Sequence, residues 1–132
     1  MLILVLGLAA CGAGLRGAGS TATPTSGPRL AIATDTQPRT AALSALIIGT
    51  IRGTDNGDGT ACFRIAEQTA QLPMYWPHGY YALANPLRVM NAQGRTVAVD
   101  GHQVELSGGT ADLGSTQVIL GCGRANQVLL VS

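Results

Sequence analysis

The sequence predicts an all-β domain behind a flexible N-terminal tether. Three observations carry this. Short β-branched or alternating segments follow one another from residue 46 to the end of the chain. Gly, Asn and Asp separate them at about the eight-to-twelve-residue spacing of sandwiches and barrels. No long stretch in this part keeps the 3.6-residue period of an amphipathic helix.

The elements follow in order. Leu46-Ile47-Ile48-Gly49-Thr50-Ile51-Arg52 is rich in β-branched residues and reads as a strand. Gly53-Thr54-Asp55-Asn56-Gly57-Asp58-Gly59 is a dense turn cluster, and Thr60 to Ala66 reads as the returning strand of a hairpin. Ala66 to Leu72 is compatible with a short helical turn. Leu87-Arg88-Val89-Met90 is a short strand, Asn91-Ala92-Gln93-Gly94 a turn, and Arg95 to Val99 a strand. Asp100-Gly101 turns into His102 to Leu106, which alternates again, and Gly108-Gly109 is expected to end it. Gln117 to Leu120 leads to Cys122, and Gln127 to Val131 closes the chain as a strand. For a domain of this size, a partly open Greek-key barrel fits best, OB-like, with five to six short strands.

Upstream, residues 12–41 read as a tether. Gly12-Ala13-Gly14 and the run Gly17 to Pro28 hold almost no bulky apolar side chains. Such a stretch buries too little surface to offset its conformational entropy. Leu30-Ala31-Ile32-Ala33 is an apolar island within it, left open here between tether and a first edge strand. The expected organisation is therefore a leader at 1–10, a tether at 11–41 and a β domain at 42–132.

Composition excludes some function classes. Formal net charge is +1 and only 11% of residues are charged, against about 25% in an ordinary soluble protein. All basic side chains are Arg. There is no basic patch for nucleic acid and no acidic tail.

The N-terminus suggests a location. Met1 to Leu8 is continuously apolar but too short to span a bilayer, which takes about 20 apolar residues. Small residues Ala9 and Ala10 precede Cys11. In Leu8-Ala9-Ala10-Cys11 the chain resembles bacterial lipoproteins, over residues 1–11 only. The basic start of a signal peptide is missing, and only the Met1 amino group is positive there. The resemblance implies cleavage before Cys11, acyl chains (palmitate among them) on Cys11, and a membrane as partner through that lipid. The protein would then face the outside of the plasma membrane, or the periplasm from an outer membrane.

With Cys11 assigned to lipid, Cys62 and Cys122 remain, an even pair in an exported protein. A disulfide is expected. Two buried thiols or half a metal site are the alternatives, but neither Cys has a second Cys or a His at zinc-site spacing. A crosslink over a span of 60 residues stabilises by roughly 4 kcal/mol in the chain-entropy account.

Gly49, Gly59-x-x-Cys62, Trp76-Pro77-x-Gly79, Gly94, Gly101-x-x-Val104, Gly108-Gly109 and Cys122 are similar to the spaced elements of small secreted bacterial domains of unknown function. That resemblance covers roughly residues 46–132. It implies an exported β-barrel domain and brings no catalytic residues.

For chemistry, the aromatic segment is the candidate. Tyr75, Trp76, Tyr80 and Tyr81 are four of the five aromatic residues, with Pro77, His78 and Gly79 between them. A Pro and a Gly suggest a turn presenting Trp76 and His78, and flat rings beside hydrogen-bonding groups suit a sugar, a peptide or a base. Packing of these rings in the core is the competing reading. Tyr75, Trp76, His78, Tyr80 and Tyr81 are the expected ligand-binding residues.

Other sites are weaker. Asp55-Asn56-Gly57-Asp58-Gly59 resembles a calcium loop, but aligning Gly59 with its glycine puts Ile65 where the bidentate acid belongs, so a hairpin turn is expected. His78 and His102 with Asp100 and Glu105 form no local metal motif. Ser107 and Ser115 lack a nucleophile elbow, and Glu67 and Glu105 are the only Glu residues, with no pattern pairing acids for glycoside chemistry. No catalytic residue, metal or cofactor is expected. The functional expectation is a cell-envelope lipoprotein whose β domain binds a glycan, peptide or protein, and not nucleic acid. A passive structural or assembly subunit of an envelope complex is the alternative, and a hydrolytic or redox enzyme the third.

Overall fold

A computed structural model describes residues 27–39 and 43–132. Cys11, the Leu8–Cys11 pattern and most of the expected tether lie outside the described residues. Among the described residues there are eight strands and no helix: β1 Ala45–Asp55, β2 Ala61–Ile65, β3 Met74–Tyr75, β4 Tyr81–Leu83, β5 Arg88–Met90, β6 Thr96–Val99, β7 Gln103–Ile119 and β8 Gly123–Val131. They form a five-stranded sheet, β2-β1-β7-β8-β3, and a three-stranded sheet, β4-β5-β6. The all-β class holds and neither sheet closes on itself. The strand count exceeds the expected five to six.

β1 and β2 make the expected antiparallel hairpin, with Ile51 opposite Ile65 and Asp55 opposite Ala61. Its loop is held by its own side chains. Asp55 Oδ1 accepts the Gly57 N–H, and Asp58 Oδ1 accepts both the N–H and the hydroxyl of Thr60. These are Asx turns, the local bonding that makes Asp and Asn turn formers. The N-terminal half of β1 pairs instead with β7, Ala45 opposite Gly108 and Thr50 opposite Gln103. One strand therefore belongs to the hairpin at one end and to the wider sheet at the other.

Gly108-Gly109 does not end β7. The strand runs through it because the chain is packed too closely there for a side chain. A Cβ on Gly108 would stand 2.0 Å from the Leu130 carbonyl oxygen and 2.4 Å from Ile47 Cδ1. Glycine here permits close approach. The ladder to β8 is interrupted further on, between Asp112 and Gln117. There Asp112 Oδ1 accepts the Gly114 N–H at 2.8 Å, and Gly114 takes φ +76°. The Gln117–Leu120 segment, which leads to Cys122, is largely the far end of β7 beyond this interruption. The short turn after it carries Cys122, which is bridged to Cys62 on β2 with a Cα–Cα distance of 5.0 Å. The expected disulfide is present.

β3 and β4 fall inside the aromatic segment. β3 pairs parallel with β8, Met74 beside Leu129 and Tyr75 beside Leu130. β4 pairs antiparallel with β5. The main core includes Trp76, Phe63, Ile51, Ile65, Met74 and Val89. β8 is apolar on both faces. Leu129 and Val131 enter this core, while Val128 and Leu130 turn the other way and join Ala33, Ile119, Tyr75 and Leu113 in a second cluster.

The apolar island at residues 30–33 belongs to the folded unit, so the tether limit expected at 41 falls too late. Leu30 exchanges two backbone hydrogen bonds with Ala82 of β4, at 2.8 and 2.9 Å. Ala31 donates to Gly59 and accepts from Ala61. Ala33 accepts from Trp76 and Asp35 donates back to Trp76. Leu30, Ile32 and Ala33 are buried. Full burial of such a Leu or Ile is worth about 1.5–3 kcal/mol. Asp35 then pairs with Arg39, whose guanidinium also donates to the Val131 carbonyl. This strap laces the β2 end of one sheet to β4 of the other.

Candidate ligand clefts

The aromatic segment turns as expected at Pro77-His78-Gly79-Tyr80. The Tyr80 N–H donates to the Pro77 carbonyl at 3.2 Å, and Gly79 takes φ +85° with Ala92 Cβ so near that any Cβ would meet it at 2.9 Å. The five expected binding residues then separate.

Trp76 is 0% exposed. Its ring meets Phe63 edge-on at 6.1 Å and lies stacked against Tyr80 at 6.2 Å. This corrects the expectation that Trp76 is presented outward. Its backbone is bonded on both sides to the strap, which turns the side chain into the core between the sheets. Tyr80 is half-buried on top of it. Tyr81 is half-buried too, and one face of its ring is covered by the Arg29 guanidinium, 4.0 Å from the ring centre. That is a cation–π contact. His78 is exposed, and its Nδ1 lies 3.0 Å from the Asp35 carbonyl. A carbonyl only accepts, so Nδ1 carries the proton, and in the neutral ring Nε2 is left as an acceptor.

His78, Tyr80 and Tyr81 line one open cleft of about 590 Å³, together with Arg29 and Asp35 from the strap. Tyr75 stands apart from them. It lines a second, deeper cleft of about 380 Å³ on the outer face of β8, with Leu113, Val118, Val128 and Leu130. The far end of the β7–β8 hairpin forms one wall of this cleft. Ile32, Thr34 and Leu120 line both clefts, so the two meet across the strap. Leu120, in that shared wall, is 48% exposed, and Val118, in the second cleft alone, is 72% exposed.

The aromatic cluster did not point to Arg29, Leu113, Val118 or Leu130 as site residues. The unbroken apolar run Val128 to Val131 carried the available signal, since a strand apolar on both faces must be covered on both faces.

The remaining polar candidates are structural. Asp100 Oδ1 accepts the Gly53 N–H at 2.8 Å and joins the β6–β7 turn to β1. The His102 carbonyl accepts from Ile51 in the same turn. Glu105 lies on β7 opposite Ile48, exposed. Ser107 accepts the Ser132 N–H through its carbonyl. Among the described residues no three His, Cys, Asp or Glu side chains come together as a metal-binding group. Two carboxyls are shifted. Thr60, through its hydroxyl and then its N–H, holds Asp58 below the ordinary value, and Thr50 does the same to Glu67. Both stabilise loops.

Comparison with protein-family models, with curated proteins and with solved structures gave no match.

Proposed function

We propose that this chain is a cell-envelope lipoprotein, held to a membrane by acyl chains on Cys11, whose β domain binds a ligand or partner outside the cytoplasm. The observation that carries the reading is the pair of clefts that share the Arg29–Thr36 strap as a wall, one ringed by His78, Tyr80 and Tyr81, the other lined by Tyr75 and the outer face of β8. Paired clefts of several hundred Å³ are the usual size of a small-ligand site. The Cys62–Cys122 bridge supports an extracytoplasmic address, since such bonds persist where the surroundings are oxidising. A glycan seeking an open aromatic face finds fewer than the sequence promised. Trp76 is buried, and Tyr80 and Tyr81 each have one ring face occupied.

Two measurements test this. Mass spectrometry of the membrane-extracted protein should find acyl groups on an N-terminal Cys11, and an unmodified Cys11 would remove the anchor. Amide NMR of the domain, titrated with cell-wall fragments and short peptides, should shift signals of Arg29–Thr36 and His78–Tyr81 first. Shifts confined to other surfaces would displace the site.

One observation favours a second reading, a structural subunit of an envelope complex. Leu46 and Ile48 lie 59% and 61% exposed on the same outer face of β1. Neighbouring exposed apolar side chains of this kind mark contact surfaces when they form a patch. Stable co-purifying proteins lost on Ile48→Asp would favour it.

A further inference from the structure

Arg64 holds its guanidinium against the disulfide. It follows Cys62 by two residues on β2, on the same face of the strand. Its Nη1 donates to Cys62 Sγ at 3.0 Å, its Nη2 to the Cys122 carbonyl at 3.1 Å and its Nε to the Gln71 carbonyl at 3.0 Å. Together these bonds fix the group in place. Among the described residues no carboxylate is ion-paired with it. The sulfurs differ in access. Cys62 is buried, while Cys122 is half-buried in the Gly121-Cys122-Gly123 turn. Both glycines take positive φ, and a Cβ on Gly123 would meet nothing within 4 Å, so one flank of Cys122 is open. The turn is also held by contacts other than the S–S bond. The Asn56 side chain donates to the Gly121 carbonyl at 2.7 Å, as Arg64 does to that of Cys122.

We propose that Cys62–Cys122 is a thiol-exchange site, entered at Cys122 and opened with Arg64 stabilising the charge that leaves on Cys62. The co-reactant is a dithiol, free or carried by a protein. One of its thiolates attacks Cys122 Sγ. A mixed disulfide forms there, and the electron pair of the broken S–S bond goes to Cys62 Sγ. A disulfide sulfur is a weak acceptor and a thiolate a charged one, so the hydrogen bond from Arg64 strengthens as this charge develops. A better-stabilised thiolate leaves faster. The second thiolate of the co-reactant then displaces Cys122. In this two-electron exchange the protein is reduced to a pair of thiols, which take up the protons the dithiol gives up, and the co-reactant is oxidised to its own disulfide. In reverse, the Cys62 thiolate attacks a mixed disulfide on Cys122 and closes the bond. Asn56 and Arg64 keep the turn within reach for that step. The exchange site is independent of the clefts and of what they bind.

The test uses the full chain carrying Cys11→Ser, so that Cys62 and Cys122 are the only cysteines. Sulfite is the first probe, because it attacks a disulfide as a thiolate does and leaves a stable sulfonate on the sulfur it attacks. The folded protein is treated at neutral pH, stopped in acid and mapped by peptide mass spectrometry. The expected product carries its sulfonate on Cys122. Once sulfite is removed, closure of the bond against pH reads the titration of the attacking Cys62. Its midpoint should rise by about one pH unit in Arg64→Gln and stay near the parent's in Arg64→Lys, which keeps the charge. Loss of a merely structural contact would not move it. Opening by dithiothreitol should slow about threefold in Arg64→Gln. A sulfonate on Cys62 or equally on both sulfurs, reaction only at urea concentrations that unfold the chain, or a closure midpoint unmoved in Arg64→Gln would each overturn the proposal. If Arg64→Gln does not fold, the position of the sulfonate in the parent decides.

Discussion

The backbone N–H of Trp76 donates to the carbonyl of Ala33 at 2.8 Å, and this bond decides how the aromatic segment is used. It fixes residues 30–35 beside β3 and turns the Trp76 ring inward. The strap thus covers the tryptophan and builds the wall that both clefts share.

A strap that is core should behave as core under mutation. Leu30→Ala and Ile32→Ala should each destabilise the domain by about 2–5 kcal/mol, the range for large-to-small changes at buried positions. Urea unfolding followed by Trp76 emission measures this. Values near zero would return residues 30–33 to the tether.

Neighbouring glycines on β7 should respond in opposite ways. Gly108→Ala places a methyl against the Leu130 carbonyl and Ile47, and overpacking of this kind costs about 1–3 kcal/mol or more. Gly109→Ala meets nothing nearer than Ala45 Cβ at 3.9 Å and should be close to neutral. Thermal melts of the two variants side by side make the comparison.

That contrast also shows what the sequence could and could not say. A glycine pair reads as a break because glycine most often marks a turn, yet at Gly108 it marks a close approach between strands, which involves residues far away in the chain. The β1–β2 hairpin was legible because its turn residues Asp55 to Gly59 sit beside the strands they join. The Cys62–Cys122 bridge was legible by counting. β3 was hidden because two residues pairing parallel with β8 leave no periodicity. The strap was hidden because its backbone bonds are isolated pairs to three distant places, Ala82, the Gly59–Ala61 stretch and Trp76. Of the candidate site, His78, Tyr80 and Tyr81 come together at one cleft, Tyr75 lines the other, and Trp76 goes to the core. Aromatic clustering locates such a segment but says nothing about which ring faces inward.

The disulfide should contribute through the unfolded chain. Replacing both Cys62 and Cys122 with Ala removes closure of a 60-residue span and should cost roughly 4 kcal/mol in the entropic account. Chemical denaturation of the double variant, compared with the oxidised parent, reads the difference. A loss below about 1 kcal/mol would contradict it.

Acid should weaken the loops held by Glu67 and Asp58. Both carboxyls titrate below their ordinary values of 4.5 and 3.8 in the folded protein. A lowered folded pKa gives stabilisation that is full above the ordinary value and lost as pH falls through the lowered one. Tm should therefore fall as pH drops below about 4.5, and Glu67→Gln should fall less steeply over the same window. Parallel curves for parent and variant would show that Glu67 contributes nothing to the acid response.

Amide hydrogen exchange at the strap tests the central claim most directly, because without a folded strap neither cleft exists. Leu30, Ala31 and Asp35 donate their N–H groups to Ala82, Gly59 and Trp76, as Ile51 in β1 donates to His102. The account predicts that the three strap amides are protected to the same order as Ile51 and are released with it in global unfolding. Exchange of the three at the rate of an unstructured peptide, with Ile51 still protected, would contradict it.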